Sequence, residues 1–225
     1  NRTAIVGLAV ALATSTPAAA GEYAPASVVG VLTDPALREV SGITASPRRA
    51  DRYWVHNDSG DGAFLYAIDG RGRRLGTIAI DDVLALDWED VAAFERDGKS
   101  YLLVGDIGDN LKLRREYELF AIEEPDLPAD GAVVHVRPAW RVRFAWTDGP
   151  HDAEAFAIDA MRGEVYVVPK FAEPLTVYCL PLQPADDRVQ TPQRLAEFAP
   201  PPNLPAKPKF RPTAFALSPD SRRAI

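Results

Sequence analysis

The chain has 225 residues, 47% of them hydrophobic, and a formal charge of −7 from 25 basic and 32 acidic side chains. This is enough apolar material for a sizeable core, and no basic run or basic–aromatic stripe marks nucleic acid as a partner. The single cysteine, Cys179, excludes an intrachain disulfide and any paired-cysteine zinc motif; its setting, Thr176–Leu180, reads as a strand carrying a small buried hydrophobe.

The N-terminus reads as a processing signal. Arg2 precedes the apolar run Ala4–Ala13, and small residues lead to Ala18-Ala19-Ala20. Residues 1–20 are therefore expected to be a signal peptide cleaved before Gly21, which predicts a secreted or periplasmic protein. The apolar run falls short of the about 20 residues that span a bilayer, so no membrane span is expected after cleavage. With no Met at its start, the chain reads as part of a longer precursor.

Beyond residue 21 the chain is punctuated by 20 prolines and 15 glycines, counted over its full length, which favours many short elements over a few long helices. Ala26–Thr33, ahead of the first repeat, could be an outer strand that closes a ring of sheets against the last one. Then four similar segments begin at Glu39 (EVSGITAS), Glu89 (EDVAAFE), Glu154 (EAFAIDA) and Pro212 (PTAFALS). In each a turn slot follows: Pro47–Asp51, Asp97-Gly98, Arg162-Gly163 and Asp220-Ser221. In the first three an aromatic-led apolar run comes next, at Tyr53–Val55, Tyr101–Val104 and Tyr166–Val168. Two further strand-like runs complete each of these units: Phe64–Ile68 and Thr77–Ile80, Tyr117–Ile122 and Val133–Phe144 (with a break near Pro138), Leu175–Leu180 and Arg194–Phe198. Asp82–Trp88 is the best short helix candidate. Pro200–Pro208 reads as a stiff connector.

Four short strands per repeating unit predict an all-β fold, a β-propeller with four-stranded blades. The set is incomplete, with three blades and the start of a fourth in one domain over residues 21–225. In such a blade the start of the first strand lies beside the end of the second, because the two form a hairpin. One mouth of the channel should then collect Glu39, Asn57, Asp58, Glu89, Asp90, Asp106, Asp109, Asn110, Asp152 and Glu154 as metal ligands. Lys170, His56 and His151 are expected beside them as substrate-binding groups. Within Glu89-Asp90, strand alternation lets only one side chain point into the channel.

Converging carboxylates repel one another unless a cation neutralises them. An all-oxygen set suits calcium, with magnesium or manganese as possibilities, better than zinc. Asn57-Asp58-Ser59-Gly60-Asp61-Gly62 imitates the start of an EF-hand loop, but Ile68 stands where the bidentate Glu belongs. Either His56 or His151 could serve as a general base. No GxSxG, phosphate loop or HExxH occurs, so no catalytic residue is assigned.

The motifs EVSGI, WVHNDSGD, DWEDVA, GDIGDN and DAEAFAID, with the later Lys170, resemble a family of secreted bacterial β-propeller proteins related to the phytase-like and SdiA-regulated propeller groups. The resemblance spans about Glu39 to Leu217 and implies a propeller with a calcium-dependent role. It implies no particular activity, because propellers host hydrolases, lactonases and binding modules alike. The chain departs from phytases proper in lacking a cluster of phosphate-binding Lys and Arg at the expected mouth. The expected function is binding of a divalent cation by a module whose partner is a small molecule or an envelope protein. The alternative is a metal-dependent hydrolase of phosphoesters, esters or lactones.

Overall fold

The computed structural model describes residues 27–170, 174–198, 211–218 and 220–224. The expected signal peptide and proline-rich connector lie outside them, as does Ala26. Thirteen strands form three sheets, and no helix occurs among the described residues. The first sheet has the order β1 (Val40–Ala45), β2 (Tyr53–Asn57), β3 (Phe64–Ile68), β4 (Arg74–Ile80), β8 (Val133–Val136). The second is β5 (Trp88–Arg96), β6 (Lys99–Asp106), β7 (Tyr117–Glu123), β9 (Trp140–Phe144). The third is β10 (Ala153–Asp159), β11 (Glu164–Pro169), β12 (Leu175–Pro181), β13 (Gln193–Phe198).

The hairpins form where the turn chemistry asks for them. Asp97 and Gly98 both have positive φ, 51° and 74°, which suits the tight connection between β5 and β6. Asp51, Gly163 and Ser221 also have positive φ, so every turn slot read from the repeat contains a left-handed residue.

Three expectations are corrected. The propeller of uniform four-stranded blades is replaced, among the described residues, by three sheets of five, four and four strands that form no closed ring. The departure begins at Pro138, which has no N–H to donate and holds its predecessor away from helical backbone. The run Val133–Phe144 breaks there, and its halves go to different sheets. The half before the break, β8, pairs parallel to β4, with Thr77 opposite Val133 and Ile80 opposite Val136. The half after it, β9, pairs antiparallel to β7. The described part of the fourth segment contributes one isolated bridge, Leu217 to Ala224, rather than a sheet. Secondly, residues 82–87 are irregular and Trp88 opens β5, so the helix expected there is absent. Thirdly, residues 27–33 form no strand, although the Val31 N–H bonds the Arg71 carbonyl at 3.3 Å.

The core lies between neighbouring sheets. Trp54, Leu65 and Ile78 of the first sheet pack with Trp88, Leu102, Val104, Phe120 and Ile122 of the second. On the opposite face Leu103, Leu119, Ala121 and Phe144 pack with Phe156, Val165 and Val167 of the third. Successive residues of β6 and β7 thus point into two different clusters. A strand buried on both faces needs apolar residues at every position, which is why these segments read as continuous runs. Strand β5 contacts both β1 and β10. Side chains tie these first strands together: Ser41 Oγ donates to the Glu89 carbonyl at 3.0 Å, and Asp90 Oδ2 accepts the Phe156 N–H at 3.2 Å.

Candidate metal centre

The acidic site assembles where β2 ends and β5 begins. Carboxylate oxygens of Asp58, Asp87 and Glu89 all lie within 4.8 Å of one another. Opposite oxygens around a calcium ion stand about 5 Å apart, twice a bond of 2.3–2.6 Å. The spacing therefore fits an oxygen-bound divalent cation.

Each carboxylate is delivered by a distinct local device. Asp58 follows the last residue of β2, where its N–H donates to the Glu39 carbonyl at 2.7 Å. Asp87 precedes β5 and is pinned from below: its N–H donates to Asp106 Oδ1 at 3.2 Å and its carbonyl accepts the Gly108 N–H at 3.1 Å. Glu89 sits in a bulge, since Trp88 faces Asp106 and Asp90 faces Gly105, leaving Glu89 as the extra residue. Glu154 occupies the same bulged position in β10, between the Ala153–Pro169 and Ala155–Val168 pairs. Bulges re-aim side chains at functional positions. Gly108 forms the floor: a Cβ there would stand 2.3 Å from Glu89 Oε1 and 2.5 Å from Asp87 Oδ2.

The electrostatics match this crowding. Burial, then the neighbouring Asp87, Asp58 and Asp152, push the Glu89 carboxyl up to about 8. Burial, then Asp58 and Asp152, push Asp87 up to about 6. A cation here would remove the repulsion that keeps these groups protonated. Asp152 is nearly fully buried; its Oδ1 accepts the Asp109 N–H at 2.8 Å, and its Oδ2 has no hydrogen bond. Lys170 Nζ stands 3.6 Å from that Oδ2 and pairs with Glu154.

The remaining sequence-predicted residues separate by role. Asp106 is buried and accepts the Leu86 N–H at 2.9 Å, the Asp87 N–H and the Arg114 guanidinium at 2.5 Å, so it props up the loop that carries Asp87. Asp109 accepts the N–H groups of Leu113 and Arg114 and the hydroxyl of Tyr117. Burial opposes its charged form, but these three hydrogen bonds outweigh it and hold the carboxyl below its ordinary range. Asp90 turns away from the triad to the Val91 and Phe156 N–H groups, and burial pushes it up to about 7. Asn110 is exposed on the loop after β6.

Glu39 and Asn57 line a separate cleft of ≈ 420 Å³ with Asp61 and Tyr66. There Asp61 Oδ2 accepts hydrogen bonds from Asn57 Nδ2 and Tyr66 Oη. His56 is fully buried, edge-on to Trp88, with Nδ1 2.8 Å from the Asn57 carbonyl; burial lowers its pKa. His151 turns instead to Asp148, 2.8 Å away, against the Trp146 ring. Cys179 is half-buried on β12 rather than fully enclosed, and burial pushes its thiol up to about 11.

Asp87 is the member of the triad that the sequence reading leaves out. Two positions before Glu89, it shares that residue's side of an extended chain. The helical reading of Asp82–Trp88 hid this relation.

Compared with known proteins, the chain matches no family model and no curated sequence.

Proposed function

We propose that this protein binds a divalent cation, calcium by preference, through Asp58, Asp87 and Glu89, and acts as a cation-dependent binding module. The observation that carries the reading is the convergence of three carboxylates from two segments, Asp58 after β2 with Asp87 and Glu89 at the start of β5, the latter two over the floor at Gly108. Calcium is preferred because the donors are hard oxygens and calcium tolerates irregular shells of six to eight ligands, completed by water or backbone carbonyls. The N-terminal signature supports a secreted or periplasmic setting, where calcium is accessible as a structural or bridging ion. Among the described residues no helix is long and apolar enough to cross a membrane.

Calorimetric titration with Ca²⁺, Mg²⁺ and Mn²⁺ tests the reading. The expected result is one-to-one binding of calcium, weakened at least about ten-fold in Asp87→Asn, because ligand charge tunes calcium affinity over orders of magnitude. Equal titrations of parent and variant, or no heat with any of the three ions, would refute it.

A second reading is metal-dependent hydrolysis of a phosphoester, ester or lactone, favoured by the position of Lys170. Its ammonium acts on Glu89 electrostatically and lies beside Asp152 and Glu154. A lysine next to a Lewis-acidic ion would orient an anionic substrate whose carbonyl or phosphoryl oxygen the ion polarises. A panel of such substrates, assayed with the cation-loaded protein, separates the readings: turnover lost in Lys170→Met supports hydrolysis, and a flat panel supports binding alone.

A further inference from the structure

The two loops that build the triad end in an apolar and basic rim that the cation reading does not use. The loop before β5 exposes Leu84 and Leu86, 78% and 57% accessible, and the loop after β6 exposes Leu111 and Leu113, 78% and 76% accessible. Isolated surface leucines are ordinary, but four on two stitched loops form a patch. The stitching is explicit. Asp106 accepts both the Leu86 N–H and the Arg114 side chain, and Arg114 also donates to the Gly108 carbonyl at 2.9 Å. Asp109 holds the Leu113 N–H at 2.8 Å. Buried carboxylates thus hold the backbones of Leu86 and Leu113 in place while their side chains stay in water.

Two cations next to the leucines are left without an ion pair. Lys112 and Arg115 are exposed between and beside Leu111 and Leu113, and no ion pair joins either to a carboxylate among the described residues. Nearby acids have partners of their own: Asp82 pairs with Arg137 at 2.9 Å, Glu116 pairs with Arg143, and Asp81 Oδ1 lies 2.9 Å from His135 Nδ1.

We propose that this rim docks onto an anionic lipid surface, the four leucines entering the headgroup–acyl boundary and Lys112 and Arg115 meeting lipid phosphates. Exposed aliphatic side chains interleaved with basic ones are the composition that holds peripheral segments on acidic bilayers. A protein partner fits less well. Interface cores are enriched in Tyr, Trp and Phe and depleted in Lys, whereas these two loops expose no aromatic residue and set Lys112 between Leu111 and Leu113. The triad adds a condition that rests on the cation reading. A divalent cation held by Asp58, Asp87 and Glu89 places positive charge beside the rim, where it attracts lipid phosphates, so docking should require the cation.

The test is sedimentation of the protein with phosphatidylcholine vesicles, with or without phosphatidylglycerol, in Ca²⁺ or in EDTA, alongside calorimetry of Ca²⁺ without lipid. The parent should bind the anionic vesicles in Ca²⁺, and about ten-fold less on phosphatidylcholine alone or in EDTA. Leu111→Ser with Leu113→Ser should lose about ten-fold in vesicle binding and leave Ca²⁺ calorimetry unchanged, while Leu195→Ser, an exposed leucine on β13, should change neither. A parent that binds Ca²⁺ but no vesicles overturns the lipid proposal, as does a double variant that binds vesicles like the parent. Leucine-dependent self-association without lipid overturns it in favour of a second copy as the occupant. Vesicle binding that persists in EDTA, with no Ca²⁺ heat, supports the rim and overturns the cation reading; a parent that binds neither overturns both.

Discussion

Gly108 shows how one residue without a side chain controls two with charged ones. A methyl group at this position would overlap Glu89 Oε1 and the Asp87 carboxylate, and both must move to admit it. Gly108→Ala should keep the fold, since the atoms displaced are side-chain termini, yet weaken Ca²⁺ binding on the order of ten-fold. Circular dichroism and calorimetry on the same sample check both halves. The raised carboxyls make a second prediction. Glu89, ordinarily near 4.5, holds its proton to about 8 in the fold, and Asp87, ordinarily near 3.8, holds its proton to about 6. Across those ranges the folded state binds more protons than the unfolded one, so stability declines as pH rises. In EDTA, urea midpoints should fall between about pH 4 and pH 8. Saturating Ca²⁺ should flatten the decline, because the ion binds the deprotonated native site. A midpoint that rises across this range in EDTA would contradict the assigned burial of Glu89.

The hairpin of β5 and β6 carries most of the site's geometry, and its turn is its most vulnerable point. Gly98 has φ 74° beside Asp97 at 51°. Gly98→Val places a branched side chain in the left-handed region, at a cost of about 1–2 kcal/mol. Urea unfolding should show that loss, with Ca²⁺ affinity nearly unchanged, because the turn lies at the end of the hairpin away from Glu89. Elements of this kind were legible in the sequence: turn chemistry is local, and the run Phe64–Ile68 coincides with β3. That Asp58 ends one strand and Glu89 opens another at the same end of their hairpins was legible for the same reason, but their meeting across two sheets was not. Asp87 was not, because apolar spacing in Asp82–Trp88 imitates a helical turn, while the decisive contacts come from Asp106 and Gly108, distant in sequence. The destination of β8 was equally hidden. Pro138 announces a break, but nothing in Val133–Val136 says that its partner is β4, more than fifty residues earlier.

At the scale of the molecule, the second sheet is the keystone, with one face packed on the first sheet and the other on the third. Phe120 is fully buried in the first of these interfaces, 5.2 Å between ring centroids from Trp88. Phe120→Ala should cost about 3–5 kcal/mol by removing the ring and leaving a cavity. Chemical denaturation measures it, and a loss under about 1 kcal/mol would mean that the two sheets are not packed as described.

The parallel pairing of β8 on β4 also orders events during synthesis. When Ile80 has left the ribosome, the first sheet has four strands and an open outer edge; the strand that covers it, Val133–Val136, is not yet made. Open edges template pairing with other chains. A nascent chain stalled between these points therefore carries its own aggregation hazard. The second unit relieves it by donating a strand backward before finishing its own sheet.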